Sequence, residues 1–459
     1  MKLYSTNNRD LQVDFQSAVF NSMPLDKGLY MPAYIPELDD EFLQHLDRFT
    51  LPEIAYKIAS ALLHDDIPAA DLKAIIDEAI NFEAPVQQLD ENTYVLELFH
   101  GPSLAFKDFG ARFMSRIMGY FLKENEQLLD VLVATSGDTG GAVALGFLGV
   151  PNTRVTILYP KGKVSDIQEL QLCSNGQNIR AIEIDGTFDD CQLLVKQAFA
   201  DEELNSKMRL TSANSINIAR LIPQTFYYFN AVAQLYRAGK KNIVFSVPSG
   251  NFGNIAAGLL AYRMGLPVHH FIAATNVNDT VPRFLETGVY ETRPSVQTYS
   301  NAMDVGAPSN WVRIMDLFKG DRAKVMELVT GFSYSDDATV KGITDIYSAF
   351  NYIACPHTAI AWLAIQDYRK QHLAASADIA STHIVSTEKA STENGSPVAY
   401  VFLSTAHACK FPDIFNEEMA SKIDVPAQVK ELMGKPKNAT VMKADFAAFK
   451  AFILEPEQP

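Results

Sequence analysis

Positive charge, paired cysteines and long apolar runs are all scarce in this chain of 459 residues. Lysine and arginine total 39 against 54 aspartates and glutamates, which leaves a net charge of -15. That balance repels a phosphate backbone and argues against a nucleic-acid partner. Small anions remain possible ligands, because a few local cations and backbone N–H groups act at short range. The four cysteines, Cys173, Cys191, Cys355 and Cys409, are scattered without a C-x-x-C spacing. Neither a metal site nor a disulfide framework is suggested, and the thiols read as reduced and mostly buried. No run of about 18 uncharged apolar residues could cross a bilayer, and the opening residues lack the apolar core of a signal segment. A cytoplasmic location with no membrane partner is the expectation.

What is present is a core-forming chain. Apolar residues make up 47% of it, and its length predicts two or three domains of about 100 to 200 residues each. Residues 50 to 82 read as two amphipathic helices, with Ile54, Ile58 and Leu62 on one face, Leu72, Ile75, Ile76 and Ile80 on the next, and Asp65-Asp66-Ile67-Pro68 between them. From about residue 93 short β-branched runs alternate with helical segments, the pattern of an α/β fold with a parallel sheet. Strands are expected over 94–99, 131–135, 155–159, 179–184, 243–247 and 270–274. Residues 374–397, rich in Ala, Ser, Thr and Gly, read as a surface loop.

Ligands of such sheets bind beyond the carboxyl ends of the strands, so the turns there hold the chemistry. The first turn, Phe99 to Gly110, sets Lys107 between Phe106 and Phe109 where a helix should begin. Burial and the positive end of a helix both disfavour an ammonium there, which suits a neutral amine for imine chemistry. A surface lysine with Asp108 as first-turn acid is the alternative. The second turn, Ala134-Thr135-Ser136-Gly137-Asp138-Thr139-Gly140-Gly141, offers N–H groups and hydroxyls that suit a carboxylate or phosphate. A tight turn alone explains its glycines but not its hydroxyls.

The third turn, Ser249-Gly250-Asn251-Phe252-Gly253-Asn254, lets backbone approach an anion. It ends in no Lys-Ser or Lys-Thr pair and does not read G-x-G-x-x-G, so ATP and NAD are disfavoured. Packing is the competing explanation of its glycines. A fourth cluster, Thr211 to Arg220, places Asn214 and Ser215 before a long helix and Arg220 about one and a half turns into it. Asn214 or Ser215 serves there either as N-cap or as ligand-binding group. Lys161 and Lys163 read either as cations for a substrate phosphate or as surface residues, and His357 and His407 as buried structural histidines.

Taken in order, the lysine turn, the Ser-Gly-Asp-Thr-Gly turn, the Asn-Ser-x-Asn-x-x-Arg element and the Gly-Asn-Phe-Gly-Asn turn resemble the threonine synthase family. The likeness extends from Tyr4-Ser5-Thr6-Asn7 through Ala273 to Pro282 and Ser300 to Val305, and closes at Ser404 to Phe411. This chain departs at Ala408-Cys409, where the family commonly reads Pro-Ala. The resemblance implies a pyridoxal 5'-phosphate enzyme of fold type II: two parallel-rich sheet domains, an N-terminal helical region, and an active site at the domain interface. Its domains are expected at 1–92 (helical), 93–230 (smaller) and 231–459 (larger, with a C-terminal extension).

The implied reaction is γ-elimination and β-addition that turns O-phospho-L-homoserine and water into L-threonine and phosphate, the last step of threonine biosynthesis, by a monomer or homodimer. Lys107 then corresponds to the catalytic lysine that forms the imine. Gly250, Asn251, Phe252, Gly253 and Asn254 match the loop that holds the cofactor's phosphate. Thr405 matches the hydroxyl facing the pyridine nitrogen, and Asp138 lies near the 3-oxygen. Ser136 and Thr139 fall where the family binds the substrate carboxylate, and Asn214, Ser215 and Arg220 where it binds the substrate phosphate.

Overall fold

In the computed structural model, which describes residues 1–123, 127–382 and 397–455, most strands belong to two large, mainly parallel sheets. The larger has six strands in the order Val329–Ser333, His270–Thr275, Asn242–Pro248, Val398–Ser404, Thr93–Glu97 and Val86–Gln88. Only the last pair is antiparallel. The smaller has five parallel strands in the order Ala439–Lys443, Ile179–Asp185, Thr153–Pro160, Leu129–Ala134 and Arg209–Ser212. Their central strands are buried along nearly their whole length, as expected where helices cover both faces. All six strands expected from β-branched runs form.

The sheets do not follow the expected domain cuts. Thr93–Glu97, assigned to the smaller domain, pairs in register with Val398–Ser404 of the larger sheet. Ala439–Lys443, assigned to the larger, extends the smaller sheet beside Ile179–Asp185. Parallel pairing needs a crossover, so sequence neighbours need not be sheet neighbours. The N-terminal region is also not purely helical: Lys2–Ser5, Gln12–Asp14 and Tyr30–Pro32 form a small antiparallel sheet. Its two expected helices follow, at Leu51–Leu63 and Ala69–Ala79, with Ile54, Ile58, Leu62, Leu72, Ile75 and Ile76 buried. The helix Pro356–Thr382 continues into the stretch expected as a loop from residue 374, because Ala374, Ala375 and Ala377 are strong helix formers. Residues 383–396 lie outside the described residues.

Candidate active site

Lys107 is the first residue of the helix Lys107–Leu122, and the ring of Phe106 lies 5.0 Å from its Nζ. The segment before it is pinned to a distant part of the chain. Phe106 N–H donates to the Thr405 carbonyl at 2.9 Å, His407 N–H donates to the Leu104 carbonyl at 3.0 Å, and Ala105 bridges Ala406. Buried Thr405 is thereby held beside the lysine. Lys107 Nζ stands 3.7 Å from Asp138 Oδ2, with 13% of its side chain exposed. It is not a solvated surface lysine. Burial lowers its pKa; the Asp138 charge opposes that, and Lys410 and Arg220 reinforce it.

Asp138 opens the helix Asp138–Phe147 at the carboxyl end of Leu129–Ala134. The turn before it needs glycine: Gly137 sits at φ 134°, and a Cβ there would meet the Gln168 carboxamide at 2.5 Å. Thr135 Oγ1 accepts from Gly137 N–H at 3.0 Å and Gly140 N–H at 2.9 Å, while Ser136 and Thr139 stay partly exposed. Asp138 Oδ1 accepts from Lys410 Nζ at 2.7 Å and Gln168 Nε2 at 2.9 Å. Burial pushes this carboxyl up, but Lys410, Lys107 and His357 outweigh it and hold the group well below the usual carboxylate range. Asp108 behaves oppositely: burial raises it to about 6, although its Oδ2 accepts from Ser103 N–H at 2.9 Å.

The third turn lies at the carboxyl end of Asn242–Pro248 and leads into the helix Gly253–Arg263. A Cβ on Gly250 would lie 2.6 Å from Met303 Cα, so backbone passes backbone here at a distance only glycine allows. Phe252 takes a left-handed conformation at φ 60°, a strained position for an aromatic residue. Its ring is anchored edge-on against Trp311 at 5.7 Å. The Asn251 side chain donates to Ser215 Oγ at 2.5 Å and accepts from Ser309 N–H at 2.5 Å. Asn254 Oδ1 accepts from both Tyr227 and Tyr228 hydroxyls at 2.7 Å. Asn254 Nδ2 is buried with no hydrogen-bond partner among the described residues.

The fourth cluster differs from its expected form. Asn217, not Asn214 or Ser215, is the N-cap, and its helix is only Ile218–Leu221. A second helix, Gln224–Arg237, starts after Pro223, because proline interrupts the hydrogen-bond ladder but suits a helix start. Arg220 therefore sits in the short helix rather than well inside a long one. It is buried, donates to the Ala213 carbonyl, and its Nε has no partner among the described residues. Burial lowers its pKa to about 10. A Cβ on Gly110 would meet that Nε at 2.6 Å, so Arg220 lies against the helix that Lys107 opens. Asn214 Nδ2 donates to the Ala134 carbonyl at 3.1 Å, which places it beside the second turn.

Several residues were not singled out from sequence. Lys410 lies within the closing motif but was given no role, and Gln168, Asn310 and Arg313 carry no local signal at all. Asn310 Nδ2 donates to the Asn251 carbonyl at 3.0 Å and to Ser215 Oγ at 3.3 Å. Fully buried Arg313 donates to the carbonyls of Tyr30, Ser215 and Ile216 and to Asn310 Oδ1. His357 is buried, as expected, but it also lies close enough to Asp138, Lys107 and Lys410 to feel their charges; burial depresses its pKa to about 4. Lys161 and Lys163 are both exposed. The four cysteines are free and buried.

Three family models cover the chain in succession: threonine synthase N terminus over residues 2–80, pyridoxal-phosphate dependent enzyme over 79–384, and threonine synthase C-terminal over 382–453. The chain is 42% identical to the threonine synthase of Haemophilus influenzae over 455 residues, covering 99% of this chain and 100% of that one. The chain belongs to the threonine synthase family. The crystal structure of threonine synthase from Escherichia coli superposes with a TM-score of 0.84 at 41% identity, covering 99% of both chains. The pyridoxal-phosphate-bound threonine synthase from Brucella melitensis gives 0.85 at 34% identity, covering 99% of this chain and 98% of that one. Threonine synthases are pyridoxal-phosphate-dependent carbon–oxygen lyases of fold type II, and pyridoxal phosphate is the cofactor here.

Proposed function

We propose that this enzyme converts O-phospho-L-homoserine and water into L-threonine and phosphate, with Lys107 as imine-forming lysine and base. The observation that carries the reading is the burial of Lys107, which favours the amine over the ammonium against the opposing charge of Asp138 3.7 Å away. Bound pyridoxal phosphate supplies an electron sink for negative charge at Cα of the substrate. The residues present suit it. Gly250 to Gly253 bring backbone N–H groups to the start of an 11-residue helix, a favourable place for a phosphate. Asn254 Nδ2 is a buried donor without a partner. Thr405 would face its ring nitrogen with a neutral hydroxyl, and Asp138 would face its 3-oxygen with a carboxylate.

Substrate is held at both ends. Ser136, Thr139 and the N–H groups around them suit its carboxylate; Arg220, with Asn214 and Ser215 near it, suits its phosphate. Lys107 takes a proton from Cα and then one from Cβ. The Cγ–O bond breaks with its electron pair leaving on the phosphate, a proton returns to Cγ, a water oxygen bonds to Cβ as that water gives up a proton to the departing phosphate, and a proton returns to Cα to complete threonine. The enzyme acts in this reading as a monomer or as a homodimer. Among the described residues no helix is long and apolar enough to cross a membrane. Four free buried thiols support a reducing, cytoplasmic setting.

The test is turnover of O-phospho-L-homoserine in ¹⁸O-water. Label in the threonine hydroxyl and none in the phosphate is expected. Label in the phosphate, or release of 2-oxobutyrate in place of threonine, would overturn the assignment. Lys107→Ala should fold and bind substrate yet lose turnover.

A further inference from the structure

Lys410 is fully buried, a rare setting for an ammonium group. Its Nζ lies 2.7 Å from Asp138 Oδ1 and donates to the Ser103 carbonyl at 2.9 Å. Gln171 Nε2 donates to the same carbonyl at 3.0 Å. The turn Ala408–Lys410, just beyond Thr405, delivers the lysine to this position. Asp138 thus lies between two lysines, with Oδ1 against Lys410 and Oδ2 3.7 Å from Lys107.

The charges determine which form of Lys107 is stable. With Lys107 as an amine, the Asp138 carboxylate and the Lys410 ammonium sum to zero, and a proton on Lys107 would add net charge to a buried site. Without Lys410 the order reverses. Neutrality would then be reached by an Asp138–Lys107 ion pair, and the base would be lost to its own partner. The other charged groups around Lys107 do not substitute for Lys410. Arg220 acts on Lys107 in the same direction as Lys410 but bonds to the Ala213 carbonyl rather than to Asp138, and burial holds His357 toward its neutral form. The buried Cys355 thiol is pushed toward its neutral form.

We propose that Lys410 is a positioning residue for the reaction: it occupies and neutralises Asp138 and so keeps Lys107 a free amine. This rests on the reading of Lys107 as imine-forming lysine and base. The test is competitive acetylation of the full-length chain, freed of cofactor, with trace acetic anhydride across a range of pH, read at Lys107 by peptide mass spectrometry. In Lys410→Met the midpoint for Lys107 should rise by about one to two pH units. It should stay near wild type in Lys410→Arg and return in Lys410→Met combined with Asp138→Asn. An unmoved midpoint in Lys410→Met, or a rise that persists in the double variant, would overturn the proposal. If circular dichroism shows Lys410→Met unfolded, Asp138→Asn alone decides. The midpoint must then fall, because the Lys410 charge is left unbalanced, and a rise refutes the idea. Borohydride reduction of the holoenzyme separates the two readings: an adduct on another lysine removes the role of Lys107 while leaving the acetylation shifts to stand or fall by themselves.

Discussion

Two glycines three residues apart in the cofactor turn should respond in opposite ways to the same added methyl group. At Gly250 a Cβ would lie 2.6 Å from Met303 Cα and 2.9 Å from the Ala302 carbonyl oxygen. Both obstacles are backbone, so relief requires moving the Asn301–Met303 turn by about 1 Å. Forced overpacking of this kind costs about 1–3 kcal/mol. At Gly253 the nearest atom to a Cβ is Asn310 Nδ2 at 3.5 Å, ordinary contact. That position opens the helix Gly253–Arg263, where alanine restricts the unfolded chain and stabilises by about 0.4–1 kcal/mol. Urea unfolding of the cofactor-free chain should therefore rank Gly253→Ala at or above wild type and Gly250→Ala clearly below it. Titration with pyridoxal phosphate, followed by its visible absorbance, should show binding about tenfold or more weaker in Gly250→Ala, since 1.4 kcal/mol is a factor of ten. Gly250→Ala matching wild type in both stability and affinity would mean that the close approach to Met303 does not shape the phosphate turn.

The two further expectations concern buried polar groups. The folded-state pKa of His357 is depressed to about 4 from 6.5 by burial. Below 6.5 the unfolded chain binds a proton that the folded chain refuses, so this histidine makes stability fall as pH drops from 6.5 to 4, by up to about 3 kcal/mol. Urea unfolding of wild type and His357→Gln across that window should diverge in slope, whereas parallel profiles would exclude the histidine as the cause. Arg313→Met should destabilise by about 3 kcal/mol, because it strands the buried Tyr30 carbonyl and Asn310 oxygen and the half-buried Ser215 and Ile216 carbonyls that the guanidinium now serves; a loss under about 1 kcal/mol would show that water or rearrangement replaces those bonds.

Much of this architecture is legible in the sequence where the signal is local. The runs around Val131, Val155, Ile243 and Phe271 are continuous and apolar because both faces of a parallel sheet are covered, and all form strands. Of the two aromatics that mark Lys107 as a hindered lysine, Phe106 lies against its Nζ, while the Phe109 ring packs on Phe82 and Tyr227. What was missed is non-local or weakly patterned. Arg209–Ser212 and Ala439–Lys443 are short, and the latter is largely exposed, so neither shows a clean period of two. The helix break at Pro223 was legible in principle, since proline opens helices as readily as it ends them. Lys410, Gln168 and Arg313 reach the site through tertiary contacts that no spacing announces. The sheet membership of Thr93–Glu97 and Ala439–Lys443 was hidden for the same reason, because their strand partners are remote in the chain.

Those exchanged strands have a mechanical consequence. The described strands pass between the two larger sheets three times along the chain, between Glu97 and Leu129, between Ser212 and Asn242, and between Ser404 and Ala439. Lys107 rides on the first of these connections, Asn214, Ser215 and Arg220 on the second, and Thr405 with Lys410 on the third. Any shift of one sheet against the other is transmitted through the very segments that bear the reactive groups. A displacement of one sheet against the other would therefore move Lys107, Arg220 and Lys410 relative to one another all at once, because each sits on a different one of these connections.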